Sequence, residues 1–198
     1  MGINQRSKAW IIIIVLLVIV SAFLGITYNR LVKQEENVKL TWGDLQNAYQ
    51  RRLELTPNLV TVVKGSSAYE KQTLEQLAAA RAKAQEVAVH ATGLSAGNYS
   101  QQEQAQSEMV LSINRVIGLI EKYPDLQSTK SFIYLQTQLT GTERRIKVSR
   151  DDFNGAVAQY NKLVRGFPSS VVASLFGFKT KEGFQSVAGA GTPPEIKF

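Results

Sequence analysis

The chain begins with an uncharged apolar run that is long enough to cross a membrane. Of the 18 residues in 9–26, 16 are hydrophobic, and residues 9–28 carry no charged side chain. Twenty helical residues at about 1.5 Å each span roughly 30 Å, the thickness of one hydrocarbon core. Trp10 and Tyr28 mark its ends, where aromatic rings prefer the headgroup level. The run is therefore predicted to be a transmembrane helix rather than a buried helix of a soluble core.

The same run has two interpretations, an anchor or a cleaved signal peptide. Val20, Ser21 and Ala22 form a tolerable cleavage site after a basic start. The apolar run continues past that site to Ile26 and is long for a signal peptide, which favours an uncleaved anchor. The predicted domains are a short basic tail (1–8), the transmembrane helix (9–28), a helical bundle (29–184) and a flexible C-terminal tail (185–198).

Basic residues are nearly balanced on the two sides of this anchor. Arg6, Lys8 and the N-terminal amine precede it, and Arg30, Lys33 and Lys39 follow it. Basic residues next to a membrane helix favour the cytoplasmic side, while long domains cross largely regardless of charge. The counts favour a cytoplasmic tail with the body on the non-cytoplasmic side of a bacterial membrane, and a cytoplasmic body is the alternative.

The rest of the chain has the three-and-four spacing of apolar residues that marks one face of a helix. The longest stripe runs for five heptads and contains only two polar residues. It consists of Phe132, Leu135, Leu139, Thr142, Ile146, Ser149, Phe153, Ala156, Tyr160, Leu163 and Phe167. Three shorter stripes are Leu31, Val38, Trp42, Leu45 and Tyr49; Leu74, Leu77 and Ala78 with Ala84 or Ala88; and Ala105, Met109, Ile113, Val116 and Ile120.

These stripes predict an all-α fold, with an N-terminal transmembrane helix followed by a long antiparallel three- or four-helix bundle. An intermolecular coiled coil is an alternative for the longest stripe. Thr56 and Pro57 mark a kink or a restart in the first helix. Residues 91–100 have a loop composition, and Ser100 with Glu103 fits a capping box at the next helix start.

The composition offers few groups for catalysis. The chain has no cysteine and one histidine, His90, which excludes a disulfide scaffold, a cysteine nucleophile and a Cys/His metal site. Asp151 and Asp152 are adjacent and point to different sides of a helix, so they do not form a carboxylate pair. No di-iron, phosphate-loop or dinucleotide motif occurs. We expect no enzyme activity and no catalytic, cofactor-binding or metal-binding residues.

The net charge of +7 suggests one candidate surface. A candidate basic face consists of Arg144, Arg145, Lys147 and Arg150. Such a cluster is typical of a solvated helix face whose apolar stems are buried, and the alternative is attraction to anionic lipid or an acidic protein. No recognition motif accompanies the charge, so nucleic acid is not an expected partner.

A short apolar stretch with an aromatic end, residues 171–179, is the most unusual part of the body. Ser169 and Ser170 are predicted to cap a short helix that Gly177 ends. The candidate interaction patch consists of Phe167, Pro168, Phe176 and Phe178. These rings either fold back onto the end of the bundle or form an exposed patch for a partner or a membrane surface.

Several short motifs, in this order and spacing, resemble the LemA family of bacterial membrane proteins over about residues 10–184. They are Tyr28-Asn29-Arg30-Leu31, Thr56-Pro57-Asn58-Leu59-Val60, Tyr123-Pro124-Asp125-Leu126, Glu143-Arg144-Arg145-Ile146, Asp152-Phe153-Asn154-Gly155, Tyr160-Asn161, Phe167-Pro168-Ser169 and Leu175-Phe176-Gly177-Phe178. The resemblance implies a transmembrane helix, an antiparallel helical bundle and a cytoplasmic body, and it supplies no catalytic residue. Gly141, Gly183 and the tail at 185–194 depart from the family pattern.

The sequence thus predicts a membrane-anchored helical scaffold or protein-interaction module of the bacterial envelope. The alternative is a peripheral lipid-binding or membrane-organising protein that uses the basic face and the aromatic end. The expected partners are membrane lipid through residues 9–28, an unidentified envelope or membrane protein, and a second copy of the chain. No cofactor is expected.

Overall fold

The computed structural model describes residues 5–64, 70–90 and 96–184, and within them the chain forms six helices and no strand. The helices are α1 (Gln5–Lys64), α2 (Lys71–His90), α3 (Ala96–Ile120), α4 (Pro124–Gln127), α5 (Lys130–Arg165) and α6 (Ser169–Leu175). The all-α prediction is confirmed. The predicted flexible tail at 185–198 lies outside the described residues.

The chain divides into two compact units. Unit 1 combines Met1–Leu40 with Gly155–Lys181, and unit 2 combines Thr41–Asn154 with Glu182–Phe198. Each unit therefore joins part of α1 to part of α5.

The predicted membrane anchor forms the first part of α1. Its eleven consecutive side chains from Trp10 to Val20 are 44–66% exposed, so this run is not the core helix of a soluble fold. By length and composition α1 can cross a membrane, and it is the one described helix that can. The helix continues from the apolar run into the body without a break.

Of the two predictions for Pro57, a kink or a restart, the restart is wrong, because α1 continues through Pro57 to Lys64. Proline has no N–H, so the carbonyl of Leu53 lacks its usual helical donor. In unit 2, Nε of Arg81 on α2 donates to that carbonyl at 3.0 Å. The proline therefore creates an acceptor that a neighbouring helix uses.

Polar contacts in unit 2 give the direction of each long helix. Between α2 and α3, Gln76 pairs with Arg115 and Lys83 with Glu108, which is an antiparallel order. Gln46 and Arg52 of α1 pair in parallel order with Gln102 and Gln106 of α3. Contacts from Arg52 to Glu143 and from Glu103 to Arg150 show that α5 runs antiparallel to both α1 and α3. The unit is an up-down-up-down arrangement of four helices, within the predicted count.

The predicted stripes form the buried faces of the helices. Every stripe residue from Leu31 to Tyr49 and from Ala105 to Ile120 is buried, as are the nine stripe residues from Phe132 to Tyr160. Ala80 replaces Ala78 on the buried face of α2. The last two residues of the longest stripe are less buried than the others: Leu163 is half-buried and Phe167 is exposed.

The predicted loop at 91–100 is wrong in its second half, because α3 already begins at Ala96. The hydroxyl of Ser100 donates back to the carbonyl of Gly97 at 3.1 Å and does not cap the helix start. Tyr99 is 2% exposed and contacts the rings of Trp42 and Phe153. Burial of this large ring stabilises a helical turn whose local sequence favours a loop.

In unit 1, α6 ends at Leu175, just before Gly177 as predicted, but it is not capped by a serine side chain. The hydroxyl of Ser169 instead lies 2.6 Å from the carbonyl oxygen of Leu163 and 2.9 Å from that of Gly166, at the end of α5. Gly177 has φ +76°, and the amides of Gly177 and Phe178 donate to Ser174 and Ala173. This pattern is a Schellman motif, which turns the chain after α6.

Two glycine substitutions are expected to change stability in opposite directions. Gly177→Ala should lower the free energy of unfolding by about 1 kcal/mol, since alanine is strained at positive φ. Gly141→Ala should raise it by about 1 kcal/mol, because Gly141 lies inside a helix and an added Cβ meets nothing within 4 Å. Denaturant unfolding of the full chain in detergent, followed by circular dichroism, measures both. If both substitutions changed the free energy of unfolding by the same amount in the same direction, the positive φ of Gly177 and the helical conformation of Gly141 would be contradicted.

Candidate functional site

Arg52 connects three helices inside unit 2. Its side chain is 3% exposed, with Nη1 donating to Oε1 of Gln106 on α3 and Nη2 to Oε2 of Glu143 on α5, both at 2.7 Å. Loss of hydration lowers the pKa of Arg52, and the charge and hydrogen bond of Glu143 oppose that shift. A buried cation is tolerated only with such a partner, so Glu143 is a structural counter-ion.

A second arginine, Arg150, joins helices of the same unit. Nη1 of Arg150 donates to Glu103 at 2.8 Å, and Nη2 donates to the hydroxyl of Tyr49 at 3.3 Å. Burial acts to lower the pKa of Arg150, but the contacts with Tyr49 and Glu103 outweigh it and raise the pKa. Burial raises the pKa of Tyr49, against the opposing hydrogen bond from Arg150. Both groups stay in their ordinary charge states near neutral pH.

The amides of Gln46 and Gln102 form a reciprocal pair between α1 and α3. Each Nε2 donates to the other Oε1, at 2.8 and 2.7 Å. With the two arginine sites, this pair makes a polar layer through the bundle. We refer to these groups as the polar layer: Gln46, Tyr49, Arg52, Gln102, Glu103, Gln106, Glu143 and Arg150.

An aromatic cluster in unit 2 holds the segment that follows α6. Phe184 contacts the rings of Trp42, Tyr99 and Phe153, with centroids 5.5–6.1 Å apart, and the guanidinium of Arg150 lies 4.9 Å from its centroid. Burial, with the charge of Glu182, raises the pKa of Tyr99 to about 12.

Asn154 fixes the backbone of the same segment. Its Nδ2 donates to the carbonyl of Phe184 at 3.4 Å, and its Oδ1 accepts from the amide of Phe184 at 2.9 Å. One side-chain amide therefore satisfies both polar backbone groups of one residue, as a neighbouring strand would.

Unit 1 contains a matching contact. Asn161 donates to the carbonyl of Lys181 at 2.7 Å and accepts from its amide at 2.9 Å. Nζ of Lys181 pairs with Glu35 at 2.9 Å and lies 5.3 Å from the ring centroid of Tyr160. Burial, with the charge of Glu35, raises the pKa of Tyr160 to about 12. Asn154 and Asn161 are seven residues apart on α5, two helical turns, and the sequence signal for them is asparagine inside a helix.

Unit 2 contains an open groove of about 970 Å³ between α1 and α5. Its buried residues are small, and its exposed residues carry charges of both signs. The lining consists of Asp44, Asn47, Ala48, Gln50, Arg51, Glu54, Thr137, Gln138, Gly141, Thr142, Arg145, Ser149 and Asp152. We call this cavity the α1–α5 groove.

The structure brings the predicted aromatic patch together only in part. Phe167 is 88% exposed, Pro168 is exposed and Phe176 is 50% exposed. Phe178 is half-buried. The rings of Phe176 and Phe178 lie with their centroids 4.9 and 5.8 Å from that of Tyr28 on α1. The two rings near Tyr28 thus fold back onto α1, as one sequence interpretation has it. Phe167 stays exposed, as the other interpretation has it.

The predicted basic face contains three exposed side chains, Arg144, Arg145 and Lys147. Arg150 departs from that prediction, because its guanidinium pairs with Glu103 inside the unit. The charge surplus also lies elsewhere. Unit 1 holds nine basic and two acidic residues, while unit 2 holds fourteen of each. All of the net charge therefore belongs to the unit that contains the candidate membrane helix.

The other titratable residues considered from the sequence do not converge. His90 ends α2 and is exposed, and Asp151 and Asp152 are both exposed on α5. Among the residues that the structure describes, no three His, Cys, Asp or Glu side chains lie close enough to hold a metal ion.

The exposed apolar run of α1 and the packed helices that follow it are those of a membrane-associated helical protein, and α1 is the one candidate membrane-spanning helix among the described residues. A family model described as the LemA family matches residues 41–198, and the chain belongs to that family. The resemblance drawn from the motifs is thereby confirmed.

Curated relatives match a shorter segment. Over 82 residues the chain is 33% identical to the magnetosome proteins MamQ 1 and MamQ 2 of Paramagnetospirillum magneticum. It is 32% identical to the magnetosome protein MamQ of Magnetospirillum gryphiswaldense. Each match covers 41% of this chain and 30% of the relative, so the chain spans less than a third of the length of these relatives.

Removal of the counter-ion of Arg52 should destabilise unit 2. Glu143→Gln leaves a buried guanidinium without a compensating charge, and because Glu143 is itself half-exposed we expect a loss of about 2 kcal/mol. The matched control is Glu75→Gln, which breaks an exposed pair with Lys71 and should cost well under ~1 kcal/mol. Thermal unfolding of the full chain in detergent measures both. Equal melting temperatures for the two variants would show that Arg52 does not depend on Glu143.

Proposed function

We propose that this protein is a membrane-anchored helical scaffold that binds a protein partner in the α1–α5 groove. The observation that carries the proposal is the groove itself, an open cavity of about 970 Å³ along two long helices. Its lining is polar and charged, unlike the mostly apolar pockets that hold small molecules. The exposed charges of the lining surround a floor of small buried residues, and the rim of a protein–protein interface is likewise polar and accessible to solvent.

The shape of the groove supports an α-helix as the occupant. Ala48, Thr142 and Ser149 are small and buried, and Gly141 adds no side chain. Helices pack at 8–10 Å between axes, and small residues at the contact allow the closest approach. A partner helix can therefore lie between α1 and α5.

Charges around the groove supply specificity. Asp44, Glu54 and Asp152 are acidic, while Arg51 and Arg145 are basic, and all five side chains are exposed. Exposed charges of both signs contribute little affinity, but they fix the orientation and register of a partner. The complementary surface is a helix with both acidic and basic residues beside a narrow strip of small or aliphatic ones.

The interior of unit 2 supports binding rather than catalysis. Arg52 pairs with Glu143, and Arg150 pairs with Glu103. In each pair an arginine is held by a carboxylate of a different helix, an arrangement that joins helices. The curated relatives are named as magnetosome proteins, and these names refer to no reaction.

Site-specific crosslinking in native membranes tests the groove. A photoreactive residue at Asn47 or Thr137, both exposed in the groove, should form a discrete product with one protein or with a second copy of the chain. The same probe at Gln85, exposed on α2, is the control and should not. Gly141→Leu should abolish the product, because the added side chain enters open space in the groove.

Gly155→Leu is the matched substitution, since Gly155 also lies on α5 with no atom within 4 Å of an added Cβ and is outside the groove lining. It should leave crosslinking unchanged. Equal crosslinking from Asn47, Thr137 and Gln85, or none from any of them, would reject the groove as a binding site.

For the side of the membrane, we infer a cytoplasmic body, reversing the preference from the linear charge counts. Unit 1 adds Lys162, Arg165 and Lys179 to the basic residues that follow the anchor in the sequence. Basic residues next to a membrane are attracted to the anionic surface of the cytoplasmic leaflet. The family resemblance implies the same orientation.

Single cysteines test this inference, because the chain contains none of its own. An impermeant maleimide added to intact spheroplasts should label Ser7→Cys in the N-terminal tail and should reach Gln101→Cys on α3 only after lysis. The opposite labelling would establish the body on the non-cytoplasmic side.

A further inference from the structure

We propose that α6 and the turn before it lie in the headgroup layer of the membrane that α1 spans, where they bind anionic lipid. The residues concerned are four exposed apolar side chains of unit 1, which we call the foot: Phe167, Val171, Leu175 and Phe176. The proposal does not depend on the α1–α5 groove, which lies in unit 2.

The contact between Tyr28 and Phe176 places the foot at the level of the headgroups. Tyr28 ends the twenty-residue apolar run, so its ring marks the boundary of the hydrocarbon core. The centroid of the Phe176 ring lies 4.9 Å from that of Tyr28. The headgroup region on each side of a bilayer is about 5–7 Å thick. Phe176 is therefore within one headgroup thickness of the hydrocarbon boundary.

Burial along α1 supports the same depth. From Trp10 to Val20 every side chain of α1 is exposed, but Leu24 is half-buried and Thr27 is 7% exposed. Leu24 is four residues before Tyr28, about 6 Å deeper along the helix. The folded chain thus covers α1 one turn below Tyr28, so the body reaches the edge of the hydrocarbon core.

The foot itself has the character of an interfacial element. Phe167 is 88% exposed, Leu175 69%, Val171 59% and Phe176 50%, while Val172 and Ala173 of the same helix are buried. One side of α6 is packed and the other presents large apolar groups. Such a surface is costly in water and is stabilised when acyl chains or headgroup stems cover it.

The charges near the foot favour anionic lipid, rather than an apolar protein surface, as the partner that covers it. Arg165 precedes the foot, Lys179 follows it, and both are exposed. Of the nine basic residues of unit 1, seven follow the apolar run, against two acidic residues, so this part of unit 1 has a net charge of +5, whereas unit 2 is neutral overall. Apolar groups flanked by basic residues are the pattern of segments that bind anionic membrane surfaces. The exposed part of the predicted basic face, Arg144, Arg145 and Lys147, belongs to neutral unit 2 and is not part of this site.

Depth-dependent fluorescence quenching of the full chain tests the proposal. Phe167→Cys and Leu175→Cys are each labelled with an environment-sensitive fluorophore, and the protein is reconstituted in vesicles of phosphatidylcholine and phosphatidylglycerol. Both side chains are mainly exposed, so neither substitution disturbs a packed contact. The matched control is Ile133→Cys on α5, an apolar residue 52% exposed in unit 2. A fourth variant, Val15→Cys, reports on the middle of the apolar run.

Labels at 167 and 175 should emit at shorter wavelength than the label at 133. A nitroxide placed near the headgroup should quench them roughly two-fold or more above that control, and aqueous iodide should quench them less. The label at 15 should be quenched best by a nitroxide deep in the acyl chains.

Three results would overturn the proposal. If iodide quenches the labels at 167 and 175 as strongly as the label at 133, the foot lies in water. Labels that are shielded from both iodide and nitroxide lipid would show that protein, such as a second copy of the chain, covers the foot. Absence of deep quenching at 15 would remove the membrane span on which the depth argument rests. None of these outcomes bears on crosslinking in the α1–α5 groove, so the foot and the groove fail separately. The third outcome would also remove the membrane anchor of the proposed scaffold.

Discussion

The buried charge of Arg52 is the constraint on which the packing of unit 2 depends. An unpaired guanidinium in the interior of a bundle is strongly destabilising, so its partners on α3 and α5 must reach it in one register only. The neighbouring carbonyl of Leu53 accepts from Arg81 on α2. Two consecutive residues of α1 thus set the position of the three other long helices. Apolar stripes alone would permit these helices to slide by a turn at little cost, and the polar layer removes that freedom.

The features that could be predicted from the sequence are those that depend on period or composition. Three-and-four spacing predicted the buried faces of the long helices, and the uncharged run predicted the candidate membrane helix. These signals are local and repeat along the chain, so each further apolar residue adds to the same prediction for its helix. The family was likewise recognisable from the order of its short motifs.

Features that depend on contacts between distant residues were not predictable in this way. Arg150 has the same sequence character as Arg144, and only the position of Glu103 on another helix turns it inward. Tyr99 extends α3 into a segment with loop composition because Trp42 and Phe153 lie next to it. The charge difference between the units emerges only when residues 155–181 are grouped with residues 1–40. Asn154 and Asn161 are single side chains whose partners lie 20 to 30 residues away.

The contact between Arg81 and the carbonyl opposite Pro57 constrains the order in which these residues can arise in evolution. A carbonyl has two acceptor sites, so an arginine can bind Leu53 while the ordinary helical N–H is still present. A proline that appears first leaves that buried carbonyl unsatisfied, at a cost of about 1–3 kcal/mol. Arginine before proline is therefore the accessible path, and lineages that lose the arginine are expected to have lost the proline already.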